Sequence, residues 1–173
     1  ADIVSKLDIK SLVGIPGSSL LKKNVDLENK VVVSSGRMPP SIEKIIELKP
    51  DLVIGSKGFH DKVLSKLNQL NIRTLETETK SIENLESLIE KLSKKLNRDK
   101  KILLNKIKDC YELPIKTKGS AVVLASTKPL LSPNSQSWAG SLLDRFKFNN
   151  ITKKFKSNTE FKGYINLSPE ILI

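Results

Sequence analysis

Residues 38–56 read MPPSIEKIIELKPDLVIGS, and the fold turns on how this stretch is read. Pro39 and Pro40 stand at its front, and proline is tolerated in a helix's first turn, where a missing N–H costs no intrahelical bond. Ile42, Ile45, Ile46 and Leu48 then share one helical face, and Pro50 ends the run. DLVIGS follows as a short apolar strand. A helix that begins at paired prolines therefore feeds a strand, which is half of an α/β unit.

The same alternation extends in both directions. Upstream, Ile3, Val4 and Leu7 recur at helical spacing, LVGI at Leu12 to Ile15 reads as a buried strand, and VVVSS at Val31 to Ser35 is a β-branched strand bounded by Gly36. Downstream, Phe59 to Leu70 carries Val63, Leu64, Leu67 and Leu70 at helical intervals, and IRTLET is another strand. Ser81 caps a longer helix whose apolar stripe is Ile82, Leu85, Leu88, Ile89, Leu92 and Leu96. Helical pattern resumes in DKKILLNKIKDCYEL and ends near Pro114. Beyond Gly119, AVVLAS and PLLS read as strands. Ser137 caps WAGSLLDRFKF with Trp138, Leu142, Leu143 and Phe146 inward, and LSPEILI starts a last helix. Strands alternating with amphipathic helices predict an α/β fold with mainly parallel sheets. The strand-free helical stretch from Ser81 to Leu113 predicts a division into a first lobe over 1–97, a connecting helix over 98–118 and a second lobe over 119–173.

The net charge of +11 raises nucleic acid, an acidic membrane surface or an anionic ligand as partners. Of the 30 basic residues only Arg37, Arg73, Arg98 and Arg145 are arginine, whereas base readout and bidentate phosphate clamps favour that residue. Aromatics make up only 5% of the chain, which leaves a stacking platform for single strands unsupported, so nucleic-acid binding is not expected. Cys110 is the single cysteine, which excludes an internal disulfide and a cysteine-rich zinc site. Ser135, Ser137 and Ser141 have no histidine or acid at triad-like positions, and no glycine-rich phosphate loop is present, so no enzyme is expected.

MPPSIEKIIELKPDLVIGS resembles the proline-led helix and strand of the iron-siderophore, cobalamin and heme solute-binding proteins of ABC importers. DIVSKLDIKSLVGIPGSS is similar to that family's first helix and second strand, SPNSQSWAGSLLDRFKFNNI to its second-lobe cleft loop and helix, and FKGYINLSPEILI to its next motif. FKF at Phe146 to Phe148 departs from the glycine-rich turn of many relatives. The resemblance implies two α/β lobes joined by a long helix, of type III periplasmic-binding-protein-like form. It also implies a chain truncated at both ends, with an incomplete second lobe and a missing first strand.

The Gram-positive heme-binding branch is the most similar. There a methionine just before this helix gives one axial thioether to heme iron, and Met38 falls on it. The companion histidine would come from beyond residue 173. A soft thioether suits heme iron and does nothing for a hexadentate ferric siderophore. Arg37 and Lys57, in strand-edge loops, are expected to pair with propionates or an anionic chelate, and Tyr164 is expected to offer its hydroxyl. Packed tyrosine and solvated base are the ordinary alternatives. His60, at the start of a helix, is expected to cap or be solvated instead of binding metal.

Glu43 and Glu170 match the two glutamates, one per lobe, that relatives use to engage permease arginines, although an acid in a first helical turn is also ordinary capping electrostatics. The implied function is capture of heme and delivery to a membrane permease by a lipid-anchored protein on the extracellular face. The alternative cargo is a ferric siderophore or cobalamin. Chelatase-type enzymes share the architecture, but the paired histidine and acid that metal insertion needs are missing from the sequence.

Overall fold

The computed structural model describes residues 1–35, 38–111, 119–160, 162–168 and 170. The chain forms two compact units, Ala1–Glu78 with Leu88–Leu103 and Thr79–Ser87 with Leu104–Ile173. The first unit contains α1 (Asp2–Asp8), β1 (Gly14–Ile15), β2 (Val31–Val32), α2 (Ile42–Glu47), β3 (Val53–Ser56), α3 (Asp61–Gln69) and β4 (Thr74–Thr77). It also takes the later turns of α4 (Ile82–Leu96).

Both strand pairs of this unit are parallel. Gly14 lies opposite Val31 in one, and Val53 to Ser56 lie opposite Thr74 to Thr77 in the other. A parallel pair needs a crossover between its strands, and α3 supplies it, burying Leu64 and Leu67 on the side that packs against β3 and β4. The core gathers Val4, Leu12, Ile15, Leu27 and Leu92, with Leu7, Leu75, Leu88 and Leu96 packed against it. Each such side chain, fully buried, contributes about 1.5–3 kcal/mol.

Asp8 closes α1 polar-side. Its carboxylate accepts from the Lys10 N–H at 3.1 Å, the Ser11 hydroxyl at 2.9 Å and Arg98 Nη2 at 2.9 Å. The Ser11 hydrogen bond, and after it Arg98, hold this carboxyl below its ordinary range.

The second unit contains α5 (Lys101–Tyr111) from Leu104 onward, β5 (Ser120–Ala121), β6 (Ser126–Thr127), β7 (Leu130–Pro133), α6 (Trp138–Arg145), β8 (Asn149–Asn150) and β9 (Tyr164–Asn166). β5 and β8 are parallel, whereas β6, β7 and β9 form an antiparallel sheet in that order. Its interior is unusually polar. Ser132 and Thr152 are fully buried, and Asn134, Ser137 and Asn150 nearly so. They satisfy one another: Asn150 Nδ2 and the Thr152 hydroxyl both donate to the Pro133 carbonyl, at 3.1 and 2.8 Å, and Asn134 Nδ2 donates to the Phe155 carbonyl at 2.9 Å.

Several expected elements take a different form, each for a local reason. Pro39 and Pro40 lie outside α2, because Ser41 is its N-cap and accepts from the Lys44 N–H at 3.2 Å. Residues 33–35 do not extend β2: the Val33 carbonyl accepts from the Ser41 N–H at 2.8 Å, which turns the chain into the loop before α2. AVVLAS is divided between two sheets, with β5 at its start pairing with β8 and β6 at its end pairing with β7. Phe59 precedes α3, whose first helical residue is Asp61. The final LSPEILI helix falls mostly outside the described residues, with Glu170 in a 3-10 turn.

Free strand edges are a hazard in sheets this narrow, and β3 shows how one is blunted. Val53 and Lys57 donate their N–H groups across to Arg73 and Thr77, so by the alternation of a parallel strand Ser56 N–H points to the other edge. There it donates to His60 Nδ1 at 2.9 Å. His60→Ala removes that acceptor and leaves a part-buried N–H without it, at a cost of about 1 kcal/mol. The measurement is the urea midpoint, which is expected to fall without a change in slope; an unchanged midpoint shows that water replaces the imidazole.

Gly140 and Gly163 meet the loop after β7 from two sides. A Cβ on Gly140 would lie 1.9 Å from the Asn134 carbonyl oxygen, and Gly163, at φ +89°, would bring one to 2.9 Å from the Gln136 carbonyl oxygen. Gly140→Ala is expected to destabilise the protein by at least about 2 kcal/mol in thermal unfolding, since the opposing atoms are backbone. Gly119→Ala, whose new methyl would meet only Phe148 at 3.9 Å, serves as the near-neutral comparison.

Candidate ligand-binding loops and helix-start carboxylates

In parallel sheets the loops at strand carboxyl ends collect at one rim, where open α/β folds bind ligands. In the first unit the carboxyl ends of β2 and β3, which belong to separate two-stranded sheets, lead into the loops that carry Met38 and Lys57. The one after β2 is closed by the Val33–Ser41 hydrogen bond and, within it, Met38 donates its N–H to the Ser35 carbonyl at 3.0 Å. Its side chain is 65% exposed, so Met38 is not a core gap-filler. Pro39 and Pro40 follow directly and restrict the backbone that carries the thioether. Arg37 lies outside the described residues.

The loop after β3 holds Lys57, whose N–H donates to the Thr77 carbonyl at 3.0 Å and whose Nζ lies 3.8 Å from Glu76 Oε1. Both partners are largely exposed, so the pair is worth at most about 1 kcal/mol and yields readily to a stronger anion. Two residues on, Phe59 is 88% exposed and donates its N–H to the Ser56 carbonyl at 3.3 Å. Sequence reading took Phe59 into the following helix. Its glycine neighbour, Gly58 at φ +81°, is the signal that a turn still separates it from α3. A cation and an uncovered aromatic ring thus share one short loop.

His60 stands at the N-cap position of α3, but its side chain makes no cap hydrogen bond to that helix; its Nδ1 accepts from the Ser56 N–H of β3 instead. Ser137 donates its hydroxyl to the Asn134 carbonyl at 2.9 Å and accepts from the Gly140 N–H at 3.1 Å, which is a helix cap and not a nucleophile. Trp138 is half-buried in α6. Tyr164 is also half-buried, and its carbonyl accepts from the hydroxyls of Ser157 and Thr159 at 2.8 and 3.2 Å. Cys110 is exposed and unpaired. Among the described residues no group of three His, Cys, Asp or Glu side chains could hold a metal ion, and no helix is long and apolar enough to cross a membrane.

Glu43, in the first unit, and Glu170, in the second, share one local chemistry. Glu43 Oε2 accepts from the Ser41 hydroxyl at 2.8 Å, and that bond, with its own backbone N–H, holds its carboxyl below the usual range. Ser168 and the Glu170 backbone do the same for Glu170. A third copy, Ser81 with Glu83, opens α4, and there the charge of Arg145 adds to the lowering. Sequence reading noted Ser81 as a cap and passed over Glu83. The repeated Ser-x-Glu spacing was the available signal. Both Glu43 and Glu170 are exposed, and among the described residues no cation contributes to lowering either carboxyl.

Comparisons with known proteins bear on the fold and the family. The chain is 31% identical over 98 residues to the iron-uptake system-binding protein of Bacillus subtilis (strain 168), a match spanning 56% of this chain and 31% of that protein. The fold is that of the periplasmic heme-binding protein HutB of Vibrio cholerae, with a TM-score of 0.71 at 17% identity over 98% of this chain and 66% of the other. It is also that of the periplasmic vitamin B12-binding protein BtuF of Vibrio cholerae, at 0.61 and 21% identity over 99% and 69%. The chain therefore spans about a third of its sequence relative and about two thirds of its structural neighbours. The periplasmic binding protein family matches it from residue 1 to residue 173, and the chain belongs to that family.

Proposed function

We propose that the protein is the solute-binding component of an ABC importer for iron compounds, and that its cargo is heme. The observation that carries the reading is Met38: an exposed thioether on a proline-braced loop at the carboxyl end of a parallel strand. A lone soft donor suits a metal already held in a macrocycle, which needs axial ligands only. Lys57 and Phe59 support the same cargo, since one loop then offers a cation to a propionate and an apolar face to a porphyrin edge. Arg37 and Tyr164 are assigned to the same ligand, as the family resemblance implies. The proposed arrangement is a first lobe over 1–97, a connecting helix over 98–118 and a second lobe over 119–173, with the protein lipid-anchored outside the cell membrane. Likeness to a vitamin B12 binder as well as a heme binder keeps cobalamin, and with it a ferric siderophore, as the second reading.

Addition of hemin to the purified chain is expected to give the absorption envelope of thioether-ligated iron, and Met38→Ala is expected to abolish that envelope and raise the heme dissociation rate by tenfold or so, equivalent to about 1.4 kcal/mol. Cobalamin or a ferric siderophore bound in preference to hemin, or a Met38→Ala spectrum equal to that of the parent, removes the heme assignment.

Glu43 and Glu170 are assigned to the permease. Each is an exposed carboxylate that no cation among the described residues holds below its usual range, so each is available to an arginine from outside. Glu43→Lys is expected to impair uptake in cells that depend on this protein while leaving hemin affinity unchanged. Unimpaired uptake returns Glu43 to plain helix capping.

A further inference from the structure

The second unit carries a surface feature that solute capture leaves unused. Residues 145–156 read RFKFNNITKKFK. Asn150 and Thr152 point inward, both bonded to the Pro133 carbonyl, and the backbone carbonyls of Lys153 and Phe155 accept from the Ser135 N–H at 3.3 Å and Asn134 Nδ2 at 2.9 Å. The turn is therefore fastened from beneath by a buried polar cluster. What it shows to solvent is the residues between those anchors.

Ile151 is 48% exposed, Phe155 43% and Phe148 36%, and Lys147, Lys153, Lys154 and Lys156 stand exposed among them. Lys153 is paired with Asp144 at 2.9 Å. No carboxylate lies within ion-pair distance of Lys147, Lys154 or Lys156 among the described residues.

We propose that this turn docks the protein on an anionic bilayer surface, with Phe155 and Ile151 entering the interfacial layer and Lys147, Lys154 and Lys156 against headgroup phosphates. The proposal does not depend on which solute the protein carries. Its chemistry separates a bilayer from other polyanions. Lysine is a strongly hydrated point charge that suits a diffuse anionic layer; a single-stranded nucleic acid could stack on the phenylalanines but has no use for Ile151, and a polyanion without bases has no use for either. A bilayer uses both, because an acyl region lies just beneath its charge. The buried anchors mean that the turn needs little ordering when it binds.

The test is co-sedimentation of the purified 173-residue chain with vesicles of phosphatidylcholine alone or mixed equally with phosphatidylglycerol. Binding is expected only to the mixed vesicles and to weaken with salt. Each lysine near an anionic surface changes affinity about fivefold, so Lys154→Glu with Lys156→Glu is expected to weaken binding by about 25-fold or more. Phe155→Ser is expected to weaken it by roughly tenfold while retaining the salt dependence. Lys94→Glu with Lys95→Glu, on the exposed side of α4, makes the same change in net charge and is expected to have a much smaller effect. Trp138 fluorescence checks that each variant is folded. The proposal is overturned if the α4 pair is as damaging as the turn pair, if Phe155→Ser binds like the parent, or if neither vesicle binds. It is also overturned if Phe155→Ser weakens binding of dextran sulfate, which has no acyl region, as much as it weakens binding of the mixed vesicles.

Discussion

The parallel pairing of Val53–Ser56 with Thr74–Thr77 is the constraint on which the first unit rests. Two parallel strands cannot be joined by a tight turn, so the chain between them must cross over, and α3 does so with Leu64 and Leu67 buried. The same pairing leaves Ser56 N–H on the edge away from β4, where the chain answers with an imidazole from the start of α3. It also sends both strand ends into loops on one side, so Lys57 and Phe59 emerge together. The crossover, the occupied histidine and the exposed loop are thus three consequences of one hydrogen-bond ladder.

The second unit solves the same problem with less apolar material. Where the first unit gathers leucine, isoleucine and valine, the second buries Ser132, Asn134, Asn150 and Thr152 beside Leu131, Ile165 and Leu167. Such an interior is stable only if its polar groups find partners, and these do: the Pro133 carbonyl accepts twice, and the Thr152 hydroxyl also lies 2.8 Å from Asn150 Oδ1. The cost is intolerance of small changes. Asn134 shapes a loop so close to Gly140 that no side chain fits there. The return is a turn held rigidly enough to present Ile151 and Phe155 to solvent.

Legibility in the sequence followed the physical source of each element. Where side-chain periodicity made the structure, as in α3, α4 and β3, reading the apolar spacing was enough. Where hydrogen bonding overrode propensity, it was not. Asn149–Asn150 is a strand of two poor strand formers, with Asn150 Nδ2 bonded to the Pro133 carbonyl and Asn149 Nδ2 to the Ser120 hydroxyl, and nothing in its local pattern announces this. AVVLAS looked continuous because its alternation is unbroken, but its two ends are claimed by different partners. The prolines before α2 were read as helical on the rule that proline suits a first turn, although Ser41 is the better cap and lies after both. In the candidate site the sequence singled out Met38 and Lys57 correctly as loop residues, and it missed Phe59 because an aromatic four residues before Val63 fits a helical stripe on paper.

The three Ser-x-Glu sites show what a local motif can and cannot decide. At Ser41, Ser81 and Ser168 a serine hydroxyl bonds a glutamate two residues on, and each glutamate is held ionised by that bond. Capping chemistry explains all three equally, so the motif by itself points to no partner. What separates them is the charge nearby. Glu83 lies within the field of Arg145 in its own unit, and part of its attraction for a cation is satisfied there. Among the described residues, Glu43 and Glu170 have the serine and the backbone alone. An acid kept ionised by donors that carry no charge retains its full attraction for an outside cation, and this is the physical ground on which two of three identical-looking glutamates are candidates for docking and the third is not.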